Sequence, residues 1–507
     1  MKKGINILLG LLLITIISCD SFVDVEPDGY SAENYFNSEE EYQRALIGAY
    51  DLLQATFWNT LTSLVASDDY AAGGDSFNYD QPTLQNVNLM IHSPDDENQL
   101  RDIWGLMYAG LNRANYILEN KDKSDFSGKD EIIAEAYFLR AYFTFELVKF
   151  FGNVPLKTVD RGGVLRIANE RILPEDEFVM ERVANIPTAY GLVAEDLKEA
   201  IPNLPEIQAH PYEATKGAAQ ALLGKVLLYH GTFDNTKFGE AATALGQVIG
   251  KYSLTTGADY ENLFEIEGEN SSEAVFEIQY SSVQAASWTN INGSNGTYFP
   301  KFNGPRSPYA DPDGVFDAGW GFCLPSVALY DLFEANDIRR DITFFDLRDN
   351  QDLYSPGRDD TGLFNRKYMP RSAPKRAGSD PLNYDNNYRA IRYADVLLMA
   401  AEAEAKSGGA NAEDYLNEVR ARAYGDNSHD FDSVTEGDLL EAIYTERRKE
   451  LAGEGHRFFD LVRTNKAAAA IDGFTTNKNE IFPIPLIELE LAQAVERWGQ
   501  NPGYLKN

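Results

Sequence analysis

The chain has 507 residues, 44% of them hydrophobic, a globular composition that excludes a disordered polymer. Its 79 acidic against 45 basic residues give a net charge of −34. A field of that sign repels nucleic acid and anionic lipid and favours neutral or cationic ligands.

The first residues read as a bacterial secretory signal. Lys2 and Lys3 precede an apolar run from Ile5 to Ile17, which ends in Ser18-Cys19. The run is shorter than the roughly 20 residues a membrane span needs. Cysteine directly after a small residue has the form of a lipobox, so residues 1–18 are expected to be a signal peptide and Cys19 a lipidated N-terminus that tethers the chain to a membrane. Cys323 then has no partner for an internal disulfide, and the fold has to rest on apolar burial, which a chain of this length achieves easily. Residues 19–30 form a short acidic tether containing Asp20, Asp24, Glu26, Pro27 and Asp28.

The first helix is signalled by Ser38 and Glu41, a capping-box pair, followed by Tyr42, Ala45, Leu46, Ala49 and Leu53 on one face. A second helix is predicted over 99–120 and a third over 131–150. The third carries two apolar stripes, one from Ile132 to Leu147 and one from Tyr137 to Val148, so it is buried on two sides. Gly152 and Pro155 end it. A helical pair follows over 214–251. There Gly224 and Gly231 stand seven apart, then come Phe233 and Ala241-Ala242, in the manner of a degenerate tetratricopeptide repeat. A second pair spans 393–423 with the same offset between Ala401 and Gly408. The expected fold class is mainly α, with tetratricopeptide-like helix pairs supporting long irregular loops. Residues 57–80, 281–320 and 346–390, rich in aromatics, Gly, Asn, Ser and Pro, are predicted to be those loops and to carry ligand contacts.

Five segments in order carry a resemblance over essentially the whole mature chain. They are the lipobox and tether, Ala134–Phe143 running on to Phe151–Leu156, Ile391–Ala403, Glu446–Arg463, and Phe482–Pro485 with Asn501–Tyr504. On these the chain resembles the SusD/RagB-like family of outer-membrane nutrient-binding lipoproteins. The resemblance implies a SusD-like domain over 31–507, with an N-terminal part 31–205 and a C-terminal part 206–507. It also implies a lipid-anchored place on the outer surface of the outer membrane, and a SusC-type TonB-dependent transporter as partner. The ligand would be an oligosaccharide or polysaccharide, or less often a peptide, with no catalysis and no cofactor.

Sugar rings offer a C–H face to aromatic rings and a rim of hydroxyls to Asp, Asn and Arg. By position in the family, Asp68, Asn387 and Tyr388 are candidate contacts. From loop context come Tyr70, Tyr79, Trp288, Tyr298 and Trp320, with Arg366 as a donor. Glu446, Arg447, Arg448, Glu450, His456 and Arg457 read as a structural ion-pair network. Asp311, Asp313, Gly314 and Asp317 match part of a calcium loop, but the alternating ligands and closing Glu are missing. Five scattered histidines without His-Glu-x-x-His or Cys-x-x-Cys argue against zinc. Asp68-Asp69 could be half of a glycosidase pair if a second carboxylate stood about 5–9 Å away.

Overall fold

The computed structural model describes residues 35–96, 98–161, 164–169, 180–287, 295–372, 377–378 and 380–504. The signal, the tether, Cys19 and Trp288 lie outside these residues. Eleven helices frame the described part: α1 (Glu39–Asp51), α2 (Phe57–Val65), α3 (Asn98–Glu119), α4 (Lys129–Phe151), α5 (Ile186–Ala200), α6 (Lys216–His230), α7 (Lys237–Gly246), α8 (Tyr393–Ser407), α9 (Ala412–Tyr424), α10 (Leu439–Glu450) and α11 (Arg457–Arg463). From α3 to α9 each packs on the next in chain order, forming a continuous stack of helices. No helix among the described residues is long and apolar enough to cross a membrane.

The local signals explain much of this. In α1, Tyr42, Leu46 and Ala49 are buried as the spacing predicts. The cap differs in detail: the Ser38 side chain makes no cap bond, and Glu41 instead accepts the backbone N–H of Asn37 at 2.7 Å. Helix α4 is buried on both sides, from Ile132 through Phe151, and ends at Gly152 with φ +75°. Within the α6–α7 pair, a Cβ on Gly224 would lie 2.4 Å from the Leu245 side chain, so glycine there sets how closely the two helices approach.

Two expectations are corrected. Residues 57–65, expected in a loop, are helix α2, and every residue in it is buried. Its Phe, Trp, Leu and Val side chains pack on several sides at once, so aromatic content alone misled. Asn387 and Tyr388, expected in a ligand-facing loop, stand at and in the strand Tyr388–Arg392, which pairs antiparallel with Ala274–Ile278 and is buried throughout. Three further two-residue to four-residue ribbons pair Tyr70–Ala71 with Leu324–Pro325, Thr158–Arg161 with Val164–Ile167, and Phe344–Asp346 with Leu363–Asn365.

Buried hydrophobic side chains from Phe36 to Leu489 form one contiguous core. A small second cluster, including Phe316, Leu324, Tyr354 and Phe364, sits under the loops. Cys323 is buried as a free thiol. The main core also holds Glu135 of α4, whose carboxyl accepts the Tyr50 hydroxyl at 2.5 Å while that hydroxyl accepts the Ala214 N–H at 2.8 Å. Burial pushes the Glu135 carboxyl up to about 8. A raised carboxyl contributes stability that is fully present below its unfolded value, near 4.5, and is lost as pH rises towards 8. Glu135→Gln is therefore expected to gain on the wild type in thermal melting as pH rises from 5 to 9, with no advantage at pH 4. An equal difference at both ends would show that Glu135 does not titrate in this window.

Candidate functional site

Three loop segments converge beside α2. In the first, residues 73–81, Gly74 N–H donates to the Gly321 carbonyl at 2.8 Å, and Asp75 accepts the Phe77 and Asn78 amides at 2.9 Å. The second, Tyr298 to Arg306, contains the short helix Phe299–Asn303. The third, Gly319 to Phe322, is zipped onto the second. Gly319 N–H donates to Pro305, Trp320 N–H to Lys301, and Arg306 Nη1 to the Trp320 carbonyl at 2.8 Å. A Cβ on Gly319 would lie 2.5 Å from the Gly304 carbonyl, so this close approach requires glycine.

Between the segments lies a groove of about 360 Å³, lined by Trp58, Asp80, Gln81, Tyr298, Phe302, Arg306, Trp320 and Phe322. That volume falls in the ordinary range for ligand sites, about 300–1,000 Å³. Trp320 is the half-buried ring; Trp58, Tyr298, Phe302 and Phe322 are buried beneath it as a floor. Ring centroids are 5.5 Å apart for Trp58–Tyr298, 6.4 Å for Tyr298–Trp320 and 5.1 Å for Phe302–Trp320, with interplanar angles of 80°, 53° and 87°. Trp58 Nε1–H is buried with no hydrogen-bond partner among the described residues. Such a donor costs stability unless a water or a ligand oxygen meets it.

Polar groups rim the groove. Arg306 pairs with Asp80 at 3.3 Å and lies 3.8 Å from Asp75, and its guanidinium stands 5.9 Å over the Phe322 ring. Its charge is balanced locally, so the rim offers hydrogen bonds without a net positive site. Gln81 Oε1 accepts from Gln99 at 3.0 Å.

Of the sequence candidates, the groove brings together Tyr298 and Trp320. Tyr79 stands next to its rim, half exposed. The others are placed elsewhere. Asp68 is held by Arg457 through two bonds of 2.9 Å and by Arg448 at 3.1 Å, which occupies both carboxylate oxygens. Asp69 is buried against Arg448, so the Asp68-Asp69 pair presents no free acid to a substrate. Tyr70 is buried in its ribbon. Asn387 is buried, donating to Gln279 Oε1 at 2.8 Å and accepting the Tyr280 N–H at 2.9 Å. The Tyr388 hydroxyl donates to the Glu454 carbonyl at 2.9 Å. Arg366 donates to the Asp341 carbonyl and does not line the groove. Tyr70, Asn387 and Tyr388 are buried away from a surface ligand, whereas Asp68 stays partly exposed with its carboxylate engaged by Arg457 and Arg448.

The calcium-like segment is spent on its own turn. Asp311 Oδ2 accepts the Val315 and Phe316 amides, and Asp317 Oδ1 accepts the Ser372 hydroxyl. Among the described residues no cluster of His, Cys, Asp or Glu is arranged to hold a metal.

Sequence reasoning placed Trp58 in a segment expected to contact ligand without singling it out, and missed Phe302, Arg306 and Phe322. Arg306 carries no motif. A further cleft of about 350 Å³, bounded by Ile186, Tyr190, Phe233, Phe459 and Ile481 among others, lies among the scaffold helices and the C-terminal segment, away from these loops.

Residues 347–482 match the family model described as SusD family, and residues 21–228 match the one described as starch-binding associating with outer membrane. SusD-like protein P2 of Formosa agariphila is 27% identical over 533 residues, covering 99% of this chain and 100% of that one. A solved laminarin-binding SusD-like protein is 34% identical with a TM-score of 0.80, over 92% of this chain and 100% of that one. Surface glycan-binding protein A from Bacteroides thetaiotaomicron, solved in complex with laminarihexaose, is 26% identical with a TM-score of 0.79, over 91% and 99%.

Proposed function

The chain belongs to the SusD/RagB family, and from that premise we propose that it is a cell-surface glycan-binding lipoprotein that captures a neutral, curved glucan of the laminarin type. It holds the glucan in the groove under Trp320 without catalysis and hands it to a SusC-type TonB-dependent transporter. Residues 31–507 act as a single SusD-like unit, anchored to the outer membrane through lipid on Cys19.

The observation that carries this reading is the aromatic groove with Trp320 at its surface and a polar rim without net positive charge. Aromatic faces bind the C–H faces of sugars, and fixed polar groups at the rim read hydroxyls. Arg306 is offset by Asp75 and Asp80, and the chain is strongly acidic overall, so the groove rim at Arg306 offers no net positive charge to an anionic polymer. The laminarin named for two of the solved relatives supports the same ligand.

The test is electrophoresis of the purified protein through gels containing laminarin, starch, xylan, mannan, alginate or pectin, paired with binding of labelled laminarin to cells expressing the wild-type or Cys19→Ala chain. Selective retardation by laminarin, and cell-bound label lost with Cys19→Ala, are expected. Retardation only by starch would change the ligand. Cell-bound label retained by Cys19→Ala would remove the lipid anchor from the reading. A peptide receptor would show no retardation in any gel.

A further inference from the structure

The groove does not end the line of exposed rings and donors. Just outside it, Arg358 lies over the Tyr79 ring, its guanidinium carbon 4.6 Å from the centroid. Both are fixed to the groove wall. Tyr79 precedes the rim residue Asp80, and Arg358 N–H donates to the Gly74 carbonyl at 2.9 Å. A Cβ on the preceding Gly357 would lie 2.9 Å from Arg306 Cδ, so the segment carrying Arg358 abuts the stem of the Arg306 side chain at the rim.

The charge state of this pair sets it apart. The chain carries 34 more negative than positive charges, and Arg306 next door is paired with Asp75 and Asp80. Arg358 makes no ion pair among the described residues, and its Nε is buried with no hydrogen-bond partner. An arginine resting over a tyrosine ring, with its Nε–H unpartnered, is held ready to bond oxygen atoms brought alongside it. The Tyr79 residue stays half exposed, and Phe77, two positions earlier, is 92% exposed.

We propose that Arg358 and Tyr79 form an outer subsite that extends the groove, so that the protein selects glucan chains longer than the groove itself holds. The proposal rests on the glycan-binding reading above. A sugar unit beyond Trp320 would lie against Tyr79 while Arg358 donates to its ring or hydroxyl oxygens. Pre-organisation makes this contact cheap, because little side-chain freedom remains to be lost.

Titration calorimetry of the purified protein with laminaritriose and laminarihexaose tests it, with the ratio of the two affinities as the readout. In the wild type the hexasaccharide is expected to bind about tenfold or more tightly than the trisaccharide, as one added subsite worth a single good contact implies. Arg358→Ala and Tyr79→Ala should each bring that ratio below about threefold. Tyr79→Phe, which keeps the ring under the guanidinium, should retain most of it. An unchanged ratio in both alanine variants would overturn the outer subsite while leaving the groove in place. Absence of binding by the wild type to either sugar would overturn the glycan reading and the subsite with it.

Discussion

Trp320→Ala is expected to weaken laminarihexaose binding by about thirtyfold or more, corresponding to ~2 kcal/mol, the loss typical of a central aromatic anchor. The ring is the half-buried member of the groove, standing over Tyr298 and Phe302. The loop that carries it does not depend on the ring. Trp320 N–H bonds the Lys301 carbonyl, its own carbonyl accepts Arg306, and Gly319 and Gly321 are tied to Pro305 and Gly304. Removing the side chain therefore removes the stacking platform and leaves the backbone in position. Calorimetry reads the affinity, and a thermal melt of the same sample reads the fold. A loss under about threefold, with the melting temperature unchanged, would place the glycan elsewhere.

The second large effect concerns the scaffold. Arg392, at the start of α8, pairs with Glu450 at 3.0 Å and Glu454 at 2.7 Å, and also bonds Glu273. Arg422 reaches Glu450 at 2.6 Å and Glu273 at 3.1 Å, Lys367 reaches Glu454 at 2.7 Å, and Arg339 reaches Glu450 at 3.3 Å. All of these side chains are almost fully buried. Removing one partner from such a network strands buried charge, at a cost of ~3–5 kcal/mol. Arg392→Met is expected to lose that much in urea denaturation. A loss under about 1 kcal/mol would mean that the network rearranges around the missing guanidinium.

The network also sets an acid limit. Burial alone would push the Glu450 carboxyl up, but Arg422, Arg392 and Arg339 more than offset this and hold it well below the usual range. Glu454 is held down in the same way by Arg392 and Lys367. A depressed carboxyl contributes stability above its unfolded value, near 4.5, and loses it as pH falls towards the folded value. The wild type should therefore lose stability steeply below about pH 4.5, whereas Arg392→Met, starting lower, should fall less steeply over the same range.

The same contacts show what was legible in the sequence. The boundaries of α3 and α4, the two-sided burial of α4 and the role of Gly224 follow from spacing and glycine placement, because helix geometry is set by residues three and four apart. The order of motifs was enough to indicate the family. The ion network was foreseeable in kind from Glu446, Arg447, Arg448 and Glu450, but its partners were not: Arg392, Arg422 and Glu273 come from other parts of the chain.

The site depended on what sequence does not state. Asp68 read as a free carboxylate until Arg457, 389 positions away, was found on it. Asn387 and Tyr388 read as loop because a lone strand carries no sign of its partner, here Ala274–Ile278. Trp58 read as part of a ligand-contacting loop; it is instead a buried residue of α2 that floors the groove. The sequence by itself determined the helical scaffold, since periodicity is a local property that survives without knowledge of neighbours. Only the tertiary structure decided which rings face a groove, because residues 58, 80–81, 298–306 and 320–322 meet through backbone bonds and glycine contacts between distant segments, and a side chain's exposure belongs to that packing rather than to the residue.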